Sequence, residues 1–128
     1  MSKIVLDASA VLAVIEAEPG HEKLTPELLA GAVCSAVNLA EAQAKLVSRG
    51  LSSKEAWQDA TSPIVEIVPF SADHARISGD LVTQTKPLGL SLGDRACLAL
   101  GMAWHAPIYT AERMWSKVKV GVPIHVIR

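Results

Sequence analysis

Aromatic side chains are scarce in this chain: one Phe, one Tyr and three Trp, 4% of its residues. Its core therefore has to be aliphatic and Ala-rich. An excess of one charge sign is lacking too. Twelve Lys and Arg stand against thirteen Asp and Glu, a net charge of −1, which excludes the strongly basic class of nucleic-acid binder. Contact with a nucleic acid has to come from local clusters of Lys and Arg or through a metal ion. The two cysteines, Cys34 and Cys97, have no Cys or His at metal-ligand spacing. That excludes a disulfide framework and reads as free buried thiols in a reducing compartment. No apolar run approaches the roughly 20 residues of a membrane span, and the opening MSKIVLDASA has no signal-peptide pattern. A soluble, cytoplasmic protein with no membrane partner is expected. No Gly-rich phosphate loop is present.

Apolar material, by contrast, is plentiful, at half of the 128 residues. This suits one domain spanning 1–128. Lys3 to Leu6 reads as a strand, and ASAVLAVIEAE after Asp7 as a helix broken at Pro19-Gly20. Glu22 to Ala30 reads as a second helix, and AVCS as a second strand. Ser35 is a plausible N-cap for a helix over Ala36 to Arg49 whose apolar stripe is Val37, Ala40, Ala44 and Val47. Ser52-Ser53 opens a helix holding Trp57, and Ile64 to Val68 is a strand. A long helix from Ser71 runs toward Pro87, a loop covers Pro87 to Gly93, and a small-residue helix covers Asp94 to Trp104. Strands at Pro107 to Tyr109 and Val122 to Ile127 flank a short helix, ERMWSKV. Short apolar strands alternating with helices predict an α/β fold with a central parallel sheet of about four to five strands, flanked by helices.

In such sheets ligands sit at the carboxyl ends of the strands. Asp7 directly follows the first strand, and Glu112 lies just past the strand ending near Thr110. Asp94 stands at the start of a helix, and Glu41 lies about one and a half turns into another. Each has a plain structural reading: helix caps or first-turn acids for Asp7, Asp94 and Glu112, and a surface pair with Lys45 for Glu41. Together they point elsewhere. Two like charges about 5 Å apart cost on the order of 3 kcal/mol at an effective dielectric near 20, so several at one sheet end call for a cation among them. An all-oxygen set suits Mg²⁺ or Mn²⁺ rather than zinc, and the chemistry such an ion supports is phosphodiester hydrolysis.

The segments IVLDASAVLAVI, SAVNLAEAQAKL, LSLGDRACLALG, and IYTAERMW followed by VGVPIHVIR resemble, in that order and over nearly the whole chain, the PIN-domain nucleases. Within these, the resemblance is to the VapC-type toxins of toxin–antitoxin pairs. It implies that Asp7, Glu41 and Asp94 are metal-ligating acids. Glu112 takes the fourth position, where these toxins usually carry Asp in a T-A-D run. Ser9 and Thr110 match positions that support the acids or a bound water. Asn38, one turn before Glu41, reads either as a support of the site or as a satisfied core amide. The resemblance further implies Mg²⁺-dependent cleavage of RNA, a homodimer, and a small antitoxin covering the active-site groove.

Arg95, Arg113 and Lys117, with Lys119, read either as RNA-phosphate contacts or as a solvated helix face. Trp115 reads as a packing residue before a base-stacking one, and Trp57 and Trp104 as core or partner interface. The apolar stretches Val11 to Ile15 and Leu24 to Leu29 exceed what one core needs, which suits a covering partner helix. A phospho-accepting receiver domain is disfavoured, since Asp7 has no acidic neighbour and no Lys ends a late strand. The Glu112 departure keeps a catalytically inactive PIN-like domain, an RNA- or protein-binding module, as the alternative.

Overall fold

The computed structural model describes residues 2–128. Its elements run β1 (Ile4–Leu6), α1 (Ala8–Glu16), α2 (Pro26–Leu29), β2 (Ala32–Ser35), α3 (Ala36–Ser48), α4 (Ser53–Thr61), β3 (Glu66–Val68), α5 (Ala72–Asp80), α6 (Val82–Thr85), α7 (Leu92–Trp104), β4 (Ile108–Thr110) and β5 (Ile124–Val126). The five strands form one sheet in the order β3-β2-β1-β4-β5, and every neighbouring pair is parallel. The chain builds outward from β1 on one side and then crosses to β1's other side. The carboxyl ends of β1 and β4 therefore lie side by side at the point where the winding reverses, the place where open α/β sheets bind ligands.

Successive strand residues face opposite sides of the sheet, and this divides the core in two. Ile4 and Leu6 of β1 and Ala32 and Cys34 of β2 pack with α1 and with Leu39, Ala42 and Leu46 of α3. Val5, Val33 and Ile108 pack on the other face with Cys97, Leu98 and Leu100 of α7 and with Trp115. Each large aliphatic side chain so buried contributes about 1.5–3 kcal/mol. Both cysteines are free and buried, and burial pushes both thiols well up in pKa, so they stay protonated. No helix among the described residues is long and apolar enough to cross a membrane.

Several local expectations need correction. The expected helix Glu22 to Ala30 is a 3₁₀ turn, His21–Lys23, followed by α2. Thr25 Oγ1 accepts the Leu28 N–H at 3.3 Å and restarts the helix with Pro26 in its first turn, where a missing N–H does no harm. On α3 the buried face differs from the expected stripe: Asn38, Leu39, Ala42 and Leu46 are buried, while Ala40, Ala44 and Val47 are exposed. Alanine carries little burial signal, so two stripes fit the helical period equally well. The long helix from Ser71 ends at Asp80, close to Gly79, and restarts as α6 before a 3₁₀ turn at Lys86–Leu88. The Ile64 to Val68 strand is shorter, and at the sheet edge it leaves Val65 and Ile67 exposed. Helix α7 starts at Leu92, two residues before Asp94. Trp57 is 45% exposed and so is no core residue, whereas Trp115 is buried, as a packing residue should be. The apolar side chains of Val11 to Ile15 and Leu24 to Leu29 are buried or half-buried against the chain's own core, so no apolar excess lies open there.

The carboxyl-terminal segment is fastened to the end of β4 and packs on the turn after α1. Ile127 N–H donates to Thr110 O at 2.9 Å, and Arg128 pairs with Glu18 at 3.6 Å. Gly20 has φ +92°, and a Cβ there would overlap the Ile127 carbonyl oxygen. Both faults strike backbone, which cannot step aside. Gly20→Ala is expected to cost about 3 kcal/mol in urea unfolding; an unchanged midpoint would show that this turn and the chain end do not bear on each other.

Candidate metal-binding active site

A cleft of about 90 Å³ opens at the carboxyl end of the sheet, lined by Asp7, Ala8, Ser9, Glu41, Lys45, Asp94 and Glu112. All four acids singled out in the sequence thus meet there, carried by four different parts of the chain.

Asp7 leaves β1 and is the N-cap of α1. Its Oδ1 accepts the Ala10 N–H at 2.8 Å, which satisfies an otherwise orphaned helix donor. Thr110 Oγ1, at the end of β4, donates to Oδ2 at 2.6 Å. The Ser9 hydroxyl lies 2.8 and 2.9 Å from the two oxygens. Ser9 and Thr110 each accept a backbone N–H in return, from Ala111 at 2.9 Å and Glu112 at 3.0 Å. This knot ties β1, α1 and the segment after β4 together and fixes where Glu112 begins. Burial outweighs these hydrogen bonds and, with a smaller contribution from the Asp94 charge, lifts the Asp7 pKa from 3.8 to about 6.

Glu41 sits one turn beyond Asn38 on the cleft-facing side of α3. Asn38 Nδ2 donates to Glu41 Oε1 at 3.0 Å and to the Gly93 carbonyl at 2.9 Å. One buried amide therefore clamps the acid and joins α3 to the first turn of α7. The Asn38 oxygen is buried without a hydrogen-bond partner among the described residues. Gly93 lies directly against the acid, and a Cβ there would overlap the Glu41 carboxylate. Burial first, then the Asp94 charge, raises the Glu41 pKa, while Asn38 and Lys45 pull it down. Glu41 makes no ion pair with Lys45 within 4.0 Å.

Asp94 occupies the third position of α7 in a capping box with Ser91. Its Oδ2 accepts the Ser91 N–H at 2.8 Å, and Ser91 Oγ accepts the Asp94 N–H at 3.2 Å. The other carboxylate oxygen makes no hydrogen bond among the described residues, and Asp94 lines the cleft. Glu112 is exposed at the rim.

The donor set fits a hard divalent cation. It is all carboxylate, with no His or Cys in the lining, and Asp94 disfavours the ionised forms of both Asp7 and Glu41. Among the described residues no three His, Cys, Asp or Glu side chains are gathered closely enough to hold a metal ion by themselves; Mg²⁺ and Mn²⁺ are the hard cations that keep several waters and take few direct protein ligands.

The other sequence candidates fall outside the lining. Arg95 points to α5, where its Nε donates to the Ser78 carbonyl at 3.0 Å. Arg113 and Lys117 are exposed on the 3₁₀ turn after β4. Sequence reasoning missed Gly93 as a contact of Glu41. It took Lys45 only as an ion-pair partner, although that residue's seven-residue spacing from Asn38 put it on the same helix face.

The PIN domain family model matches residues 4–121, and the chain belongs to the PIN domain family. No curated protein matches the chain. Among solved structures, a toxin-antitoxin complex from Klebsiella pneumoniae is similar with a TM-score of 0.75 at 16% identity, over 98% of either chain. DNA-bound VapBC from Salmonella typhimurium is similar with a TM-score of 0.74 at 15% identity, over 100% of either chain. VapBC2 from Rickettsia felis, bound to a promoter DNA fragment, is similar with a TM-score of 0.73 at 22% identity, over 94% of this chain and 96% of that one. The likeness at these identities is one of fold.

Two outcomes are expected from this geometry. The folded Asp7 pKa lies above the ordinary value, so the folded state binds more protons between about pH 4 and 6. Stability then falls as pH rises through that window, and at neutral pH the buried charge costs on the order of 3 kcal/mol. In EDTA at pH 8, Asp7→Asn should therefore be the more stable protein by about 1–3 kcal/mol in urea, with the gain fading toward pH 4. Mg²⁺ should raise the midpoint of the parent alone. Gly93→Ala should leave the urea midpoint nearly unmoved, because the Glu41 side chain can swing away. Its Mn²⁺ affinity, followed by electron paramagnetic resonance, should drop about tenfold; undiminished affinity would mean that Glu41 is not a ligand.

Proposed function

We propose that this chain is a metal-dependent endoribonuclease, the VapC-type toxin of a toxin–antitoxin pair, and that residues 1–128 form its single nuclease domain. The observation that carries this reading is the meeting of Asp7, Glu41, Asp94 and Glu112 in one cleft at the sheet's carboxyl end. Membership of the PIN family supports nuclease chemistry, and the likeness to toxin-antitoxin complexes supports an antitoxin partner. We further propose a cytoplasmic homodimer acting on RNA.

In this reading Asp7, Glu41 and Asp94 hold Mg²⁺ or Mn²⁺, with Glu112 as a fourth ligand at the rim. The ion, when bound, supplies an activated water and offsets charge on the scissile phosphate. Ser9 and Thr110 hold the Asp7 carboxylate in one rotamer by hydroxyl hydrogen bonds. Asn38 and the Ser91 amide do the same for Glu41 and Asp94. Pre-orienting the acids lowers the entropy cost of gathering them around an ion. No side chain acts as a covalent nucleophile.

The test is cleavage of total bacterial RNA by the purified, partner-free chain. Fragments should appear with Mg²⁺, vanish with EDTA and fall at least a thousandfold, roughly the loss of one strong transition-state contact, in Asp94→Asn. Glu112→Asp should keep cleavage at or above the parent level. Cleavage retained in Asp94→Asn would sink the assignment. Its absence under every condition, with RNA binding intact, would favour the inactive binding module.

A further inference from the structure

Lys45 is the one cation among the described residues that line the cleft. It belongs to a graded row on α3. Asn38, Glu41 and Lys45, at spacings of three and four, share one helix face. Asn38 is buried at 1% exposure, Glu41 is half-buried, and Lys45 is exposed. The row leads from the clamp, through the acid, to an ammonium at the mouth. That ammonium has no carboxylate within 4.0 Å and no hydrogen bond among the described residues. It is near enough for its charge to be felt at Glu41, yet it does not close into an ion pair. A lysine serving only to neutralise Glu41 would sit in contact with it, as Arg49 does with Glu16 across the ends of α3 and α1. The other basic candidates are placed elsewhere: Arg95 is tied to α5, and Arg113 and Lys117 stand outside the lining.

A phosphodiester entering this cleft meets four carboxylates. Even with a cation among them, the neighbouring phosphates of the strand face uncompensated acids. We propose that Lys45 is the residue that takes one of these backbone phosphates and so positions the strand over the acids. This rests on the nuclease reading for its substrate, an RNA single strand. Lys45 contributes a charge and a direction and takes no part in bond making. A backbone phosphate is common to every nucleotide, so the contact confers register and affinity and no base preference.

The test is fluorescence anisotropy of a short, mixed-sequence, fluorescein-labelled single-stranded RNA over a range of KCl concentrations. Ca²⁺ replaces Mg²⁺ to suppress turnover. The proteins are the parent, Lys45→Ala, Lys45→Arg and, as a control for net charge, Lys86→Ala. One lost phosphate contact on a single strand reduces the slope of log affinity against log salt by about 0.7. Lys45→Ala should show that reduction together with about fivefold weaker binding at moderate salt. Lys45→Arg should restore the slope, and Lys86→Ala should match the parent. Mn²⁺ affinity of Lys45→Ala, followed by electron paramagnetic resonance, should be equal or tighter, because only a repelling cation has gone. An unchanged slope in Lys45→Ala overturns the proposal, as does parent protein that binds no RNA. Weakened Mn²⁺ binding also overturns it, since Lys45 would then be a support for Glu41. Failure of the nuclease reading looks different: the slope still drops in Lys45→Ala, but the parent cuts no RNA with Mg²⁺.

Discussion

Like charge held together at the end of a sheet is the constraint on which the rest of this structure depends. Asp7 is buried where a carboxylate is least welcome, and Asp94 and Glu41 add their charges to the same space. The fold tolerates this by giving each acid a second, purely structural task. Asp7 closes the start of α1, Asp94 closes the start of α7, and Glu41 is braced by an amide that also bridges two helices. Each acid thus gains a hydrogen bond to its charged form that partly offsets desolvation and repulsion. In Asp7 even the second oxygen is engaged: one closes the start of α1 while the other takes the Thr110 hydroxyl.

The architecture follows from the same economy. The buried central strands, β1 and β2 foremost, require helices on both faces. Winding outward from β1 and then reversing places two strand ends next to each other. Asp7 and Thr110 come from those two ends, and the hydroxyl of one secures the carboxylate of the other at 2.6 Å. The helices that follow β2 and precede β4 bring Glu41 and Asp94 in from either side, and the small size of Gly93 lets α3 and α7 approach closely enough for the two acids to share a cleft.

Much of this was legible from residues alone. Short β-branched runs marked the strands, and Ser35, Ser52 and Ser71 marked helix starts, all three as side-chain caps. Asp7 and Glu112 stood out by following strands, Asp94 by starting a helix and Glu41 by its place in the helix after the second strand, all features of local sequence. What was not legible depended on partners. The buried face of α3 is chosen by its contacts with the sheet, and its alanines carry no preference of their own. The break between α5 and α6 reflects weak helix formers yielding to packing. Gly93 gives no sign in the sequence that it makes room for a side chain 52 positions earlier, and the Ser78 carbonyl that holds Arg95 is 17 positions away.

The bond between Thr110 and Asp7 spans 103 positions of the chain, and Ser9 waits equally long for the Ala111 amide. Neither contact can form locally: the carboxylate and the groups that orient it meet only once the sheet has closed around β1. The brace is therefore a report on the whole fold, and any loosening between β1 and β4 reaches the Asp7 carboxylate directly.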